Sequence, residues 1–102
     1  MTIAIMIIGI SVLELHIPAA RTLKDKRRVV KGLVDRLHQR HRVSVAETAY
    51  HDLLQRAEIG IAAVGRSEGE MEHLMDDLRR VVDGESEAMV VKWEPQLLEE
   101  GG

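Results

Sequence analysis

The segment from Thr22 to Arg42, TLKDKRRVVKGLVDRLHQRHR, constrains the rest of the chain more than any other. Val30, Leu33, Val34 and Leu37 recur at three- and four-residue spacing, and Leu23 stands further upstream on the same face, which predicts an amphipathic α-helix. Thr22 is placed to act as its N-cap, and Asp25 puts a carboxylate in the first turn, where the helix dipole favours one. A helix that is apolar along one side only has to lie on something. The remainder of the chain reads as a sheet to carry it and a second helix beside it.

Residues 4–17 predict a long first strand. Leu13, Leu15 and Ile17 alternate with Glu14 and His16, while the earlier part is apolar on both faces, with Met6, Ile8, Ile10 and Val12 opposing Ile5 and Ile7. Pro18 closes the strand. Gly32 falls on the side of the long helix away from its apolar stripe, where a glycine costs about 1 kcal/mol relative to alanine. Residues 43–49 alternate as a second strand, 50–56 form a polar hairpin loop, and 57–64 form a third strand rich in small residues, which predicts close backbone packing. Ser67 and Glu70 make a capping box before the stripe Met71, Leu74, Met75, Leu78, Val81 and Val82, and Gly84 ends this second helix. Residues 86–94 predict a fourth strand with Met89, Val91 and Trp93 on one face, and residues 95–102 a frayed tail beyond a single domain spanning 1–94. The order strand, helix, strand, strand, helix, strand is that of the α+β ferredoxin-like βαββαβ sandwich. This is a four-stranded antiparallel sheet of order 4-1-3-2 with both helices on one face.

Charge is distributed unevenly. The chain of 102 residues has a net charge of −3, yet Arg21 to Arg42 carries nine basic and two acidic residues, a net of +7, leaving five basic and fifteen acidic residues, a net of −10, elsewhere. Such a dipolar arrangement sets up a field with two poles. There is no cysteine, so neither a disulfide framework nor a thiolate site exists, in keeping with a reducing compartment. The apolar run Ile3 to Ile10 is too short for a membrane span of about twenty residues and has no basic residue ahead of it as a signal peptide would. A cytoplasmic protein with no membrane partner is expected.

The sequence lacks a phosphate-binding glycine loop, a nucleophile elbow and an HExxH helix, so no cofactor, catalytic residue or small-molecule substrate is assigned and no enzyme is expected. His38, His41 and His73 read as solvated helix residues. His16 and His51 fall at one end of the sheet, but the third strand separates them and no ligand spacing supports a metal. Ferredoxin-like sheets that bind RNA stack bases on strand aromatics, and with no Phe, one Tyr and one Trp this chain has none on strands 1 and 3. Contact with nucleic acid would instead be electrostatic and made by the first helix, with Arg21, Lys24, Lys26, Arg27, Arg28 and Lys31 as the candidate residues.

The other face of the sheet presents a separate expectation. Helices cover one face of a two-layer fold. If Leu13, Leu15 and Ile17 meet them, Met6, Ile8, Ile10 and Val12 point the other way. Wet side chains of this size forgo roughly 1.5–3 kcal/mol each relative to burial, so a homo-oligomer, with a dimer favoured, is expected to bury this row. A fold-back of the tail through Leu97 and Leu98 is the alternative cover.

LELHIP, RTLKDKRRVVKGLVDRL, VSVAE and QRAEIGIAAVG, in this order and spacing, resemble the YlxP-like family of small bacterial proteins over residues 6 to about 83. Two positions depart from its pattern: Leu54 stands where many relatives carry Trp, and Gly32 where they often carry Ser. The resemblance implies a ferredoxin-like fold and, through the family's usual encoding beside translation and ribosome-maturation factors, a ribosome-associated role. It supplies no catalytic residues, and its most recognisable patch corresponds to Lys24 to Arg28. Three functions follow in order: an accessory factor of RNA or ribosomal particles acting through the basic helix, a homo-oligomeric interaction module without nucleic acid, and a small-ligand binder or enzyme.

Overall fold

The computed structural model describes residues 5–101. The expected start of strand 1 at residue 4, and the outermost parts of the expected domain and tail (residues 1–4 and 102), lie outside the described residues. The elements are β1 (Ile5–His16), α1 (Leu23–Arg40), β2 (Ser44–Ala49), β3 (Arg56–Gly65), α2 (Glu68–Asp83) and β4 (Met89–Gly101). They form one antiparallel sheet of order β2-β3-β1-β4, the ferredoxin-like arrangement, with β1 and β3 in the centre.

Alternation decides which side of the sheet the helices cover. On β1 the buried residues are Ile7, Gly9, Ser11, Leu13 and Leu15, and on β3 they are Ala57, Ile59, Ile61 and Ala63. These close the core with Val29, Val30, Leu33 and Leu37 of α1 and Met75, Leu78 and Val82 of α2. The opposite parity, Met6, Ile8, Ile10 and Val12, therefore faces away from both helices, as the alternation predicts. Glycine makes room where α2 meets β1: a Cβ on Gly9 would stand 2.6 Å from Met75 Cε and 3.1 Å from Met71 Sδ. The close packing expected of β3's small residues is not found at its centre: a Cβ on Gly60 would meet only the Thr48 side chain, at 3.0 Å, and Ala62 is exposed on the helix-free face. Gly32 has nothing within 4 Å of its missing Cβ and is a plain surface position.

Both helices start as predicted. Thr22 Oγ1 accepts from Asp25 N at 3.0 Å while Asp25 Oδ2 accepts from Thr22 N at 3.2 Å, and Ser67 Oγ accepts from Glu70 N at 3.1 Å. Glu70 reaches one residue further back than a reciprocal box requires, accepting from Arg66 N at 3.1 Å.

The C-terminal segment corrects the sequence reading. Residues 95–101 are not a frayed tail: β4 runs on to pair Ser11 with Pro95, Gly9 with Leu97 and Ile5 with Gly101. Pro95 lacks an N–H, but β4 is an edge strand and can present that gap outward. A bulge between Glu14 and Leu15 pairs them with Lys92 and Val90, skipping Val91. Val90 and Trp93 consequently pack on the core, while Met89 and Val91 are exposed, so Met89, Val91 and Trp93 do not share a face.

Candidate nucleic-acid interface

The start of α1 is built as a rigid platform. Asp25 Oδ2 accepts from the backbone of both Arg21 (3.0 Å) and Thr22, and these bonds, the Arg21 N–H foremost, hold its carboxyl below the usual range. Two loops are tied to this platform. Gln55 Nε2 donates to Pro18 O at 3.1 Å and to Ala20 O at 3.3 Å, and Ile17 N donates to Gln55 O at 2.9 Å. The β2–β3 loop thereby carries Leu53 and Leu54, 43% and 40% exposed, to the same end of the molecule as the first turn of α1.

Lys26 must be removed from the basic surface. Its side chain is 2% exposed, its ammonium lies 3.0 Å from Glu47 Oε2, and it donates to the carbonyl of Tyr50. The Glu47 oxygen is off the line of a hydrogen bond, so charge alone holds that contact. The Tyr50 carbonyl also accepts from Leu53 N at 3.0 Å, and Tyr50 itself adopts the left-handed conformation (φ 64°). Lys26 is thus the peg that fastens α1 to the end of β2. A signal for it was present in the sequence: Lys26 stands four residues before Val30 and seven before Leu33, in line with the apolar stripe. Its partners, 21 and 24 residues away, left no local trace.

The other candidates do reach solvent. Arg28 makes a bidentate pair with Glu87, both bonds 2.9 Å, which raises the guanidinium's pKa and holds the Glu87 carboxyl down. Lys31 pairs with Asp35 at 2.9 Å while 77% exposed. Arg21, Lys24 and Arg27 are exposed and enter no ion pair among the described residues. Three cations without ion-pair partners among the described residues, in or before the first turns of a helix, oppose its dipole, and only the Asp25 carboxylate in the first turn counters them.

A cleft of about 650 Å³ opens at the far ends of the helices, lined by Arg36, Arg40, His41, Asp77, Arg80 and Val81. Arg36 is engaged by Glu85 and Arg80 by Asp77. Burial alone would push the Glu85 carboxyl up, but the Arg36 bond and the Glu87 N–H outweigh it and the net shift is downward. Arg36 and Arg80 are thus neutralised in place, whereas Arg40 enters no ion pair among the described residues; all three sit where helix C-termini favour cations. The expected separation of His16 from His51 holds: His16 faces Arg56 across β1–β3, while His51 Nε2 lies 3.1 Å from Glu47 O at the end of β2. No group of three or more metal-ligating side chains occurs among the described residues, and no described helix is long and apolar enough to cross a membrane.

The comparisons with known proteins bear on the same segments. The family model described as "Protein of unknown function (DUF503)" matches residues 8–95. The chain belongs to the DUF503 family. It is similar to the uncharacterised protein YlxP of Bacillus subtilis (strain 168), 39% identical over 75 residues that cover 74% of this chain and 78% of the relative. The YlxP-like resemblance read from LELHIP, RTLKDKR and QRA is therefore upheld. In this DUF503 domain those three segments converge: Pro18 and Ala20 are bonded by Gln55, and Lys26 by the loop that precedes it.

Proposed function

We propose that this DUF503 domain binds RNA, as an accessory factor of RNA or ribosomal particles, through the outer face of α1. The contact residues are Arg21, Lys24, Arg27, Arg28 and Lys31. The observation that carries the reading is the set of unpaired cations Arg21, Lys24 and Arg27 on a platform made rigid by the Thr22–Asp25 box and the Lys26 peg. Their net-positive segment sits in a chain whose remainder is net −10, so anions are steered to this face and away from the others. In this reading the domain binds phosphates without reading bases and turns over no substrate; the work is positional.

The test is fluorescence anisotropy with labelled single-stranded and structured ribosomal RNA across a salt series. Each phosphate contact contributes about 0.7 to the slope of log K on log salt for single strands and about 0.9 for duplex. The triple variant Arg21→Glu, Lys24→Glu, Arg27→Glu is expected to lower affinity at least tenfold and flatten the slope by about 2, with the thermal midpoint unchanged or raised because the new carboxylates suit the helix dipole. Binding that survives the triple change, or that ignores salt, refutes the assignment.

A further inference from the structure

The helix-free face of the sheet is apolar over its central strands and nothing in the described chain covers it. Val12 is 36% exposed, Met6 39%, Leu98 42% and Val64 65%. The tail does not fold back over this face. By extending β4 it enlarges the face, since Leu98 pairs with Ile8 on the same side while Leu97 turns to the core. The face also has relief. Ile10 and Val12 of β1 stand beside a shallow hollow of about 370 Å³ whose floor is made of Ser44, Ala46, Gly60 and Ala62. In the sheet Ile10 is opposite Ala62 and Val12 is opposite Gly60, so a bulky row and a small row run side by side at equal heights.

That juxtaposition is self-complementary. A two-fold axis lying between the sheets and parallel to the strands, midway between β1 and β3, places β1 of one copy over β3 of the other without shifting either along the strands. We infer that two copies of this chain dock sheet face to sheet face about such an axis, each seating Ile10 and Val12 in the Gly60–Ala62 hollow of the other. An isologous contact requires a patch that carries both its own knob and its own hole, and this one does. Size agrees. Strands of 12, 6, 10 and 13 residues, at about 3.3 Å per residue and about 4.8 Å apart, cover roughly 650 Å² in projection. Side-chain relief raises the accessible area toward the ~800 Å² per partner of a standard interface. The margins of the face are polar: Arg56 is bound to Glu14 and Thr48 to Glu58 at 2.7 Å at one end, and along the β4 edge Lys92, Glu94 and Gln96 stand beside Glu14, Val12 and Ile10, as an interface rim should be. The inference is independent of the RNA reading, which uses the other side of the molecule.

Sedimentation equilibrium of the full chain between 1 and 100 µM tests it. A species of twice the 11.5 kDa chain mass is expected at the upper concentrations. Ala62→Glu places a charge on an exposed position that has no role in the core, and is expected to weaken association at least 100-fold while leaving the circular dichroism spectrum unchanged. Ala46→Glu, on the other wall of the hollow, provides the same test should Ala62→Glu fail to fold. A wild-type monomer at 100 µM overturns the inference. So does a dimer that both variants leave intact, because association then uses another surface such as the β4 edge.

Discussion

Replacing Lys26 by Met keeps the aliphatic stem in the core and removes only the ammonium, so its effect isolates the charge. In the native domain the ammonium makes one hydrogen bond, to the Tyr50 carbonyl, and one charge contact, to Glu47 at 3.0 Å. A hydrogen bond from a charged donor contributes about 1.5–3 kcal/mol. Removing one partner of a fully buried ion pair costs about 3–5 kcal/mol, but Glu47 is 21% exposed and recovers part of its hydration, so the lower end applies. The two contributions overlap, because the Tyr50 carbonyl still accepts from Leu53 N. A total of about 3 kcal/mol results, which is a large part of the ~5–15 kcal/mol that holds a domain of this size together. Since 1 kcal/mol shifts the midpoint of a 60–100-residue domain by about 4–8 °C, Lys26→Met is expected to lower it by roughly 12–24 °C.

The assay is urea unfolding of the wild type, Lys26→Met, Glu47→Gln and the double variant. Because the pair is in direct contact, a coupling of about 1–2 kcal/mol is expected. Affinity of folded Lys26→Met for RNA, measured at low temperature, should stay within twofold of the wild type, since Lys26 is a structural peg and not a surface cation. Destabilisation below about 1 kcal/mol, or a vanishing coupling, refutes the peg. An RNA affinity loss comparable to that of the surface variants refutes its separation from the binding face.

Two further outcomes are expected. Asp25, Glu85 and Glu87 all have folded pKa values below their ordinary 3.8, 4.5 and 4.5, so their stabilisation is present above those values and is lost as pH falls through the lower folded ones. Urea midpoints should therefore drop between pH 5 and pH 3, less steeply in Glu87→Gln, and a flat profile over that range argues against these contacts. Ser11 is 1% exposed with its hydroxyl unpartnered, so Ser11→Ala should be neutral or stabilising by up to about 1–2 kcal/mol, and a clear destabilisation would reveal an unseen partner for that oxygen.

Periodicity made most of the fold legible. Two apolar stripes at helical spacing, each with a hydroxyl cap, and a clean alternation at Leu13, Leu15 and Ile17 were enough to place five elements and the strand order. β4 was not legible beyond Glu94 because two local signals misled: Pro95 reads as a terminator, and adjacent Leu97 and Leu98 break the alternation. Both are resolved by tertiary placement. Pro95 is tolerated at a sheet edge, and the two leucines serve opposite faces, Leu97 against Met71 and Leu98 on the open side. The bulge that turns Val91 outward has no sequence signature. In the candidate site, the exposed cations could be read from composition and spacing, whereas the burial of Lys26 depended on Glu47 and the Tyr50 carbonyl. Gln55, which stitches the β2–β3 loop to the β1–α1 linker, gave no sign of its role because its acceptors are backbone carbonyls 35 and 37 residues away.

The domain departs from what its own stability would favour in two places, and they lie on opposite sides of the sheet. Cations at the start of α1 oppose the helix dipole, and aliphatic side chains on the open face forgo burial. Neither is fully repaired within the described chain, although comparable problems nearby are: Arg28 is matched by Glu87, Arg36 by Glu85, and the Lys26 charge by Glu47. Arg40, Arg42 and Arg66 also enter no ion pair among the described residues, so it is the clustering of Arg21, Lys24 and Arg27 within seven residues, not the lack of a partner alone, that supports the proposed contact surface. The geometry also keeps the two surfaces from competing. In the inferred dimer, pairing the sheet faces would leave both α1 helices on the outside, so two separate phosphate runs would be held at once. The outer face of α2 exposes Glu68, Glu72 and Asp76, so an anion of the kind proposed above would be favoured on the α1 side over the α2 side.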